Sequence, residues 1–286
     1  MAAGKDEKAQ QIAISDLHPF EGHPFKVVDD DSMAQTVESI RDYGITTPLL
    51  VRPDPDGGYE IISGHRRHHA AGLSGMEAVP CIVREMDDDT AIITMVDSNL
   101  QREHILPSER AFAYKMKMDA IKHQGQRTDL TSCQFGTKSR SDGLVASDAG
   151  DSARTVQRYV RLTNLIPEVL DMVDEKKIAF NPAVELSHLK PEEQRQFLDA
   201  MDYAQAAPSL SQAQRMKKLS QEGGCTLDAM CDVMDEIKKD DMGHISFKTS
   251  DIQKFFPKSY TPKQMSDTII RLLEQYQRRR ERDQSR

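Results

Sequence analysis

Short apolar runs separated by turn residues dominate the first hundred positions of the chain. Runs of this length, rich in Ile, Leu and Val, predict β-strands. Such runs occur at 11–14, 48–52, 59–62 and 79–83. The segment 54–58, Asp-Pro-Asp-Gly-Gly, separates the second run from the third and predicts a β-hairpin turn. A further turn is predicted at 16–20.

Helical spacing appears between these strands. A first helix is predicted to begin after the N-cap Ser32 and to end at Gly44, with Met33, Val37 and Ile40 on its apolar face. Strands mixed with helices predict a small α/β domain over 11–105. The polar segment 1–10 is expected to be disordered.

From residue 107 onward the pattern is helical. An amphipathic helix is predicted over 108–123, with Phe112, Met116 and Ile121 facing inward, followed by a loop over 124–140. The rest of the chain predicts, in order, helices over 141–201, a linker at 204–208, two helices separated by a Gly-Gly pair, a strand-like piece at 244–247 and a final helix over 262–282. The predicted fold class is therefore α+β, with an all-α domain over 106–203 and a mainly helical C-terminal region over 204–286.

Charge and composition narrow the function classes. The net charge of −8 argues against a basic nucleic-acid coat, although DNA recognition needs only a local basic face. No apolar run approaches the roughly 18 residues of a membrane helix, and the first residues lack the apolar core of a signal peptide. A cytoplasmic protein is therefore expected. The four cysteines, Cys81, Cys133, Cys225 and Cys231, form no CxxC pair, so neither disulfides nor structural zinc are predicted.

The sequence Gly64-His65-Arg66-Arg67 joins a predicted strand to a predicted helix. A helix start presents unpaired N–H groups and a partial positive charge, and glycine lets a ligand approach the backbone closely. Arginine adds donors whose fork geometry suits phosphate. The motif predicts a phosphate or nucleotide site. The alternative is a glycine needed only for the turn, followed by solvated arginines.

Two further features bear on this site. His65 and His69 have the i, i+4 spacing of metal ligands, but no carboxylate or cysteine accompanies them, so a metal at this pair is not favoured. The polar block 97–104 ends the helix that is predicted to begin near Asp89. Asn99 and Arg102 are costly to bury without partners. The block is either a polar hinge between domains or a second ligand wall that faces the glycine turn.

A helix-turn-helix is predicted next. Its first helix covers 141–148, Gly150 lies in the turn, and Ser152 is the N-cap of a second helix over 152–162. The apolar side of the second helix carries Val156, Tyr159 and Val160. Its exposed side carries Arg154, Thr155, Gln157, Arg158 and Arg161. This division is what a recognition helix needs. The alternative is an ordinary amphipathic helix with a solvated basic face.

Three sequence blocks together resemble the N-terminal domain of ParB/RepB partition proteins. The blocks are 44–52, 64–67 and 98–103, in the order and spacing of that family. Segments 161–167 and 177–187 are similar to the stretch after the ParB recognition helix, in particular to ParB-like proteins of low-GC Gram-positive plasmids and conjugative elements. The resemblance covers about residues 11–200. It implies binding of CTP with Mg²⁺, closing a dimer into a sliding clamp on DNA.

The resemblance also implies roles for individual residues. It places Gly64, Arg66 and Arg67 at the phosphates, with His65 beside them. Thr47 and Pro48 would lie near the base or ribose. Asn99 would lie at the phosphate and magnesium end, and the pocket wall would be formed by Gln101, Arg102 and Glu103. His65 and Ser98 stand where the family usually has glutamates. The glutamate that Ser98 replaces is tied to magnesium and hydrolysis. A weak CTPase activity therefore stays open, and no catalytic residue is assigned.

The same resemblance implies partners. Double-stranded DNA with a palindromic operator would be read by Ser152, Arg154, Thr155, Gln157, Arg158 and Arg161. A ParA-type ATPase would be the protein partner. The C-terminal region would support a homodimer, the alternative being that its last helix folds back on its own subunit, and the protein would associate with the nucleoid.

Other functions compete with a CTP-gated partition protein. The first is a helix-turn-helix transcription regulator of a plasmid or mobile element that does not load a clamp. Less favoured is an enzyme. The fold resembles sulfiredoxin, but that family's cysteine is missing from the turn, where Ser63 and Gly64 precede His65. A nuclease would need clustered carboxylates with a metal, which the turn lacks.

Overall fold

The computed structural model describes residues 8–102, 105–129, 141–235, 255–257, 260–261, 264–265, 268–273 and 275, with the backbone alone at 125–129. The chain divides into two compact units, Met1–Asp235 and Glu236–Arg286. The architecture is α+β, as predicted. The domain boundaries at 105 and 203 stay a prediction. No helix in the described part of the chain is both long enough and apolar enough to cross a membrane.

A five-stranded mixed sheet forms the centre of the N-terminal part. Its strands are β1 (Gln10–Ala13), β2 (Leu17–Pro19), β3 (Leu49–Pro53), β4 (Tyr59–Ser63) and β5 (Ala78–Val83). The order across the sheet is β1-β5-β3-β4-β2. β1 is antiparallel to β5 and β3 to β4, whereas β3 runs parallel to β5 and β2 parallel to β4.

The β3–β4 hairpin is confirmed. Pro53 pairs with Tyr59 across it, and the Asp54 N–H donates to the carbonyl of Gly58 at 3.1 Å. Gly58 has a φ of +76°, and a Cβ there would lie 2.7 Å from the carbonyl oxygen of Asp16. This position therefore requires glycine because both the backbone angle and the neighbouring chain exclude a side chain.

The prediction of a turn over 16–20 is wrong. A short 3-10 helix covers Ile14–Asp16, and Leu17–Pro19 is the edge strand β2. The pairing partner of β2 is β4, about forty residues later in the chain, so the strand is defined by a distant contact. Proline is compatible with an edge strand, where it need not donate a ladder hydrogen bond.

Of the helices α1 (Asp31–Tyr43), α2 (His65–Leu73) and α3 (Asp88–Leu100), α2 and α3 pack on the sheet and α1 packs against α2. The N-cap of α1 is Asp30 rather than Ser32, because the Asp30 carboxylate accepts the N–H of Met33 at 2.8 Å. An acidic side chain at this position also complements the positive end of the helix dipole.

Both faces of the sheet are covered. Ile61 and Ile62 are adjacent in β4, so their side chains leave opposite faces, and both are fully buried. Ile61 packs in a core with Leu49 and Val51, whereas Ile62 packs in a second core with Met95. The second core also receives Ala113 from the next helix, which ties the sheet to the helical part of the unit.

The long helix α4 (Pro107–Asp129) continues through 124–129, where a loop was predicted. Its buried stripe consists of Ala111, Tyr114, Lys117 and Ala120, at helical spacing. Phe112 is 40% exposed, so its predicted inward orientation is wrong. The buried face of α4 is therefore the one that carries these small and polar residues, not the one that carries its largest apolar side chain.

Seven helices complete the first unit within the described residues. They are α5 (Ser141–Ala149), α6 (Ala153–Leu162), α7 (Pro167–Asp174), α8 (Phe180–Leu186), α9 (Pro191–Ala204), α10 (Leu210–Glu222) and α11 (Leu227–Asp235). The core shared by α6 to α11 includes Leu162, Val169, Ile178, Leu186, Phe197 and Met216. Gly223 ends α10 with a φ of +76°, as the Gly-Gly pair predicts.

Little of the second unit is described. Residues 264–265, 268–273 and 275 are helical, and Met265 is buried. The predicted strand-like piece at 244–247 lies outside the described residues.

Candidate functional site

Gly64 is the single residue between β4 and α2. Its φ of +110° lies in the left-handed region, and a Cβ there would lie 2.9 Å from Cγ of the buried Leu49. No side chain caps the start of α2. The first N–H groups of the helix therefore point outward with the positive end of the dipole, which favours an anion.

The two arginines after Gly64 have different environments. The guanidinium of Arg67 donates to the backbone carbonyls of Thr47 and of Pro48, the latter at 2.9 Å, and burial lowers its pKa. Arg66 makes longer contacts, 3.2 Å to the Ser32 hydroxyl and 3.4 Å to the Asp30 carboxylate. Arg67 thus fixes the loop before β3 to the helix start, while Arg66 can exchange these two weak partners for an anionic ligand.

His65 is buried at 6% exposure, and its ring lies 3.8 Å from that of His23, measured between centroids. Among the described residues, Nε2 of neither histidine has a hydrogen-bond partner. Burial, together with the smaller effects of nearby His23, His68 and Arg102, lowers the pKa of His65 to about 3. His65 is therefore neutral at physiological pH.

The structure gives no support to metal binding by His65 and His69, whose spacing alone suggested it. His69 instead contacts the carboxylate of Asp29 at 2.7 Å through Nε2. In the parts of the chain that the structure describes, no group of three or more His, Cys, Asp or Glu side chains is arranged to hold a metal.

The end of α3 faces the same region. Asn99 is 3% exposed, and its amide nitrogen donates to the Met95 carbonyl at 2.8 Å, which leaves the amide oxygen as the acceptor for a ligand. The guanidinium of Arg102 lies over the Phe25 ring, 5.6 Å from its centroid. Gln101 is exposed just after the helix. Glu103 lies outside the described residues.

The block after Gly64 and the block at the end of α3 interact electrostatically. Burial lowers the pKa of Arg102, and the positive charge of Arg66 lowers it further, while Arg102 in turn lowers the pKa values of His65 and His23. Ring contacts join the same residues: the His23 ring lies 3.8 Å from that of His65 and 5.6 Å from that of Phe25, which Arg102 covers. The residues around Gly64 and those after α3 therefore border one cationic site.

His23 and Phe25 belong to this site but were not predicted. They lie between β2 and α1, in a segment without periodic apolar spacing. The ring contact of His23 with His65 and the position of Phe25 under Arg102 both join residues more than forty positions apart. No local signal in the sequence identifies such contacts.

The donor set of this site fits phosphate better than a metal. Helix N–H groups, Arg66 and Arg102 all supply positive charge or donors. For Mg²⁺, which prefers oxygen ligands, the described wall offers the amide oxygen of Asn99. Ser98 adds no carboxylate, and its hydroxyl donates to the Met95 carbonyl at 2.9 Å.

The helices α5 and α6 form a second candidate site. Gly150, with a φ of +70°, lies in the turn between them, and the Ser152 hydroxyl accepts the N–H of Thr155 at 3.1 Å as the N-cap of α6. Val145 of α5 and Val156 of α6 are fully buried in one core with Tyr114 of α4. The predicted pair of helices is therefore present and is packed on α4.

The polar residues of α6 fall into two groups. Ser152, Arg154 and Gln157 are exposed and Thr155 is half-buried near the start of the helix, although Gln157 also donates to Asp142. Arg158 and Arg161 are half-buried and are held by α8 and the turn after it. These contacts are Arg158 to Asn181 and the Phe180 ring, and Arg161 to Nδ1 of His188 at 2.6 Å. The exposed group is therefore the one that is free to face DNA.

Comparison with known proteins identifies relatives of this chain. Residues 2–100 match the ParB N-terminal domain. The chromosome-partitioning protein Spo0J of Thermus thermophilus is 31% identical over 183 residues, which are 64% of this chain and 61% of that protein. Stage 0 sporulation protein J of Bacillus subtilis is 33% identical over 185 residues, 65% of this chain and 59% of that protein. The chain thus spans about three fifths of the length of these relatives.

A similar solved structure is that of C-terminally truncated ParB from Caulobacter crescentus, complexed to the centromeric parS site. It has a TM-score of 0.43 and 22% identity and covers 74% of this chain and 99% of that chain.

Proposed function

Because the chain carries a ParB N-terminal domain over residues 2–100 and is homologous to ParB and Spo0J, we propose that it is a DNA-binding partition protein gated by CTP. It acts in the cytoplasm at the nucleoid, as a homodimer with a ParA-type ATPase as its partner. The observation that carries the nucleotide part is the uncapped start of α2 with Arg66, joined to Arg102 through the ring contacts of His23 with His65 and Phe25.

In this proposal the triphosphate lies at the start of α2. Gly64 admits the phosphates to the helix N–H groups, Arg66 donates to them, and Arg67 keeps the loop with Thr47 and Pro48 in place beside the base or ribose. Anion binding at such a helix start is a general property of its dipole and unpaired donors.

Magnesium would accompany the nucleotide rather than bind on its own. Asn99 would offer its amide oxygen, and phosphate oxygens would supply further ligands. Ser98 provides no carboxylate next to Asn99. Turnover of CTP, if it occurs, is therefore expected to be slow.

Calorimetry on the full chain tests the nucleotide site. We expect CTP to bind with and without DNA, and Arg66→Ala to weaken binding at least tenfold, since a charged hydrogen bond contributes about 1.5–3 kcal/mol. Arg41→Ala on the exposed face of α1 is the matched control and should leave the affinity unchanged. A chain that binds no nucleoside triphosphate, in the presence or absence of DNA, would refute the nucleotide-gated function.

The DNA part of the proposal rests on α6. The first residues of a recognition helix contact base edges, and Arg154 lies in the exposed first turn of α6. The buried Val156 and the N-cap Ser152 fix the helix from the opposite side and at its start.

A binding assay with a palindromic duplex, selected by this chain from a random library, tests that assignment. Arg154→Ala should weaken binding by about 1–3 kcal/mol if Arg154 reads a base. Arg195→Ala is the control, because Arg195 is an exposed arginine on α9, outside the α5–α6 pair. Equal affinities of the two variants would remove α6 from the DNA interface.

A transcription regulator that uses the same helices is the second candidate. Ser98 favours it, because this serine stands at the position where the family has the glutamate that is tied to magnesium and hydrolysis. The Ser98 hydroxyl instead donates to the Met95 carbonyl. Chromatin immunoprecipitation separates the two functions. A partition clamp occupies kilobases around its site, whereas a regulator occupies its operator alone.

A further inference from the structure

A buried lysine connects the helix that carries Asn99 to the α5–α6 pair. Lys117 of α4 has a side chain that is 1% exposed. Its ammonium lies 2.5 Å from the carboxylate of Asp97 on α3 and 2.7 Å from that of Asp148 on α5. One charge on α4 is thus shared between the last turn of α3 and the last turn of α5.

The three charged side chains differ in how far they depend on one another for stabilisation. The side chains of Asp97 and Asp148 are 45% and 55% exposed, so water can solvate either carboxylate alone. Lys117 has no such alternative, because a buried ammonium is costly without counter-ions. A shift of α3 that separates Asp97 from Lys117 therefore changes how strongly Lys117 holds Asp148.

Apolar and polar contacts beside this triad also connect α3 and α4 to the α5–α6 pair. Leu100, next to Asn99, packs against the core that contains Met95 and also against the core that contains Val145 and Tyr114. The hydroxyl of Tyr114 donates to Asp151, in the turn before α6, at 2.5 Å. Helix α4 is therefore in contact with both candidate sites through the same face.

We propose that Asp97, Lys117 and Asp148 form a charge relay that couples a ligand at the end of α3 to the placement of α5 and α6 on DNA. The inference rests on the proposed function and names the residues that would connect its two sites. Lys117 contacts neither ligand and is a positioning residue. Coupling of this kind is reciprocal: whatever factor DNA imposes on the affinity for CTP, CTP imposes on the affinity for DNA.

The measured quantity is the coupling factor, the ratio of the CTP dissociation constants of the full chain with and without the selected palindromic duplex. For the unmodified chain we expect a factor of about five or more in either direction. Asp148→Asn should bring it below about twofold, because Lys117 then loses its charged partner on α5. Asp148→Glu, which keeps the charge, should restore most of the coupling.

Asp119→Asn is the matched control. Asp119 pairs with Lys122 at 3.0 Å on the same helix, is similarly exposed, and connects no second helix. This variant should retain the full coupling factor. Circular dichroism of each variant verifies that it is folded.

Hydrogen exchange gives a second readout that needs no DNA. Adding CTP to the unmodified chain should change the exchange of amides in 141–149, and Asp148→Asn should abolish that change. The relay is overturned if Asp148→Asn keeps both the coupling factor and the exchange response, or if the unmodified chain binds CTP and DNA independently. An unmodified chain that binds no CTP instead refutes the proposed function itself.

Discussion

Replacing Gly64 by alanine should destabilise the protein, because the backbone at this position is left-handed and the space for a side chain is occupied. Left-handed backbone costs a residue with a Cβ about 1–2 kcal/mol. The new Cβ would also meet Cγ of Leu49 at 2.9 Å, and Leu49 is fully buried in the core under the sheet. Overpacking of this kind costs about 1–3 kcal/mol. The reduced freedom of the unfolded chain returns about 0.4–1 kcal/mol. We expect a net loss of about 2–4 kcal/mol.

The control lies in the same helix. Gly72 of α2 does not have a left-handed φ, and nothing lies within 4 Å of a Cβ built there. Gly72→Ala should therefore stabilise the protein by about 0.4–1 kcal/mol. Urea denaturation followed by circular dichroism at neutral pH measures both variants. If the unfolding free energies of the two variants agree within about 0.5 kcal/mol, the explanation of the β4–α2 turn is refuted.

Three further results are expected. The unfolding free energy should fall as the pH drops from 6.5 towards 3, because only the unfolded chain then protonates His65, whose native pKa burial lowers to about 3. The slope is up to about 1.4 kcal/mol per pH unit, and denaturation of His65→Gln should show a shallower one. Burial raises the thiol pKa values of Cys81 and Cys225 to about 11. Both thiols should therefore resist alkylation by iodoacetamide at pH 8 until urea is added, as measured by peptide mass spectrometry. Arg67→Lys should weaken CTP binding in calorimetry, because a lysine cannot hold both carbonyls of the loop before β3; an unchanged affinity would contradict this role.

Local sequence signals account for most of the correct structural predictions. The β3–β4 hairpin follows from Gly57 and Gly58 between two apolar runs, and the start of α2 follows from Gly64 after β4. β2 has no such signal, since Leu17–Pro19 is three residues long and is defined by pairing with β4. The orientation of Phe112 is also set from a distance. Helix α4 packs Ala113 into one core and Tyr114 into another, and this placement leaves Phe112 on the exposed side.

The candidate site divides in the same way. Arg66, Arg67 and the glycine before them are contiguous, so a strand-to-helix turn is enough to predict their chemistry. Their relation to Asn99 and Arg102 depends on how α3 crosses the sheet, which only the resemblance to ParB anticipated. Nothing in the chain's spacing indicates that His23 stacks on His65.

The site holds positive groups that repel one another. Arg66 lowers the pKa of Arg102, and burial and the charge of Arg102 lower the pKa values of both His65 and His23. An anion that enters the site removes this repulsion, so part of its binding free energy comes from charges that are already held close together. The positions of these charges are maintained by contacts that a ligand need not disturb, namely those of Arg67 to Thr47 and Pro48 and the packing of Phe25 in the core with Met95. A site organised in this way before binding favours a polyphosphate over a single small anion, because several donors at different positions can be satisfied by one ligand only if it is long.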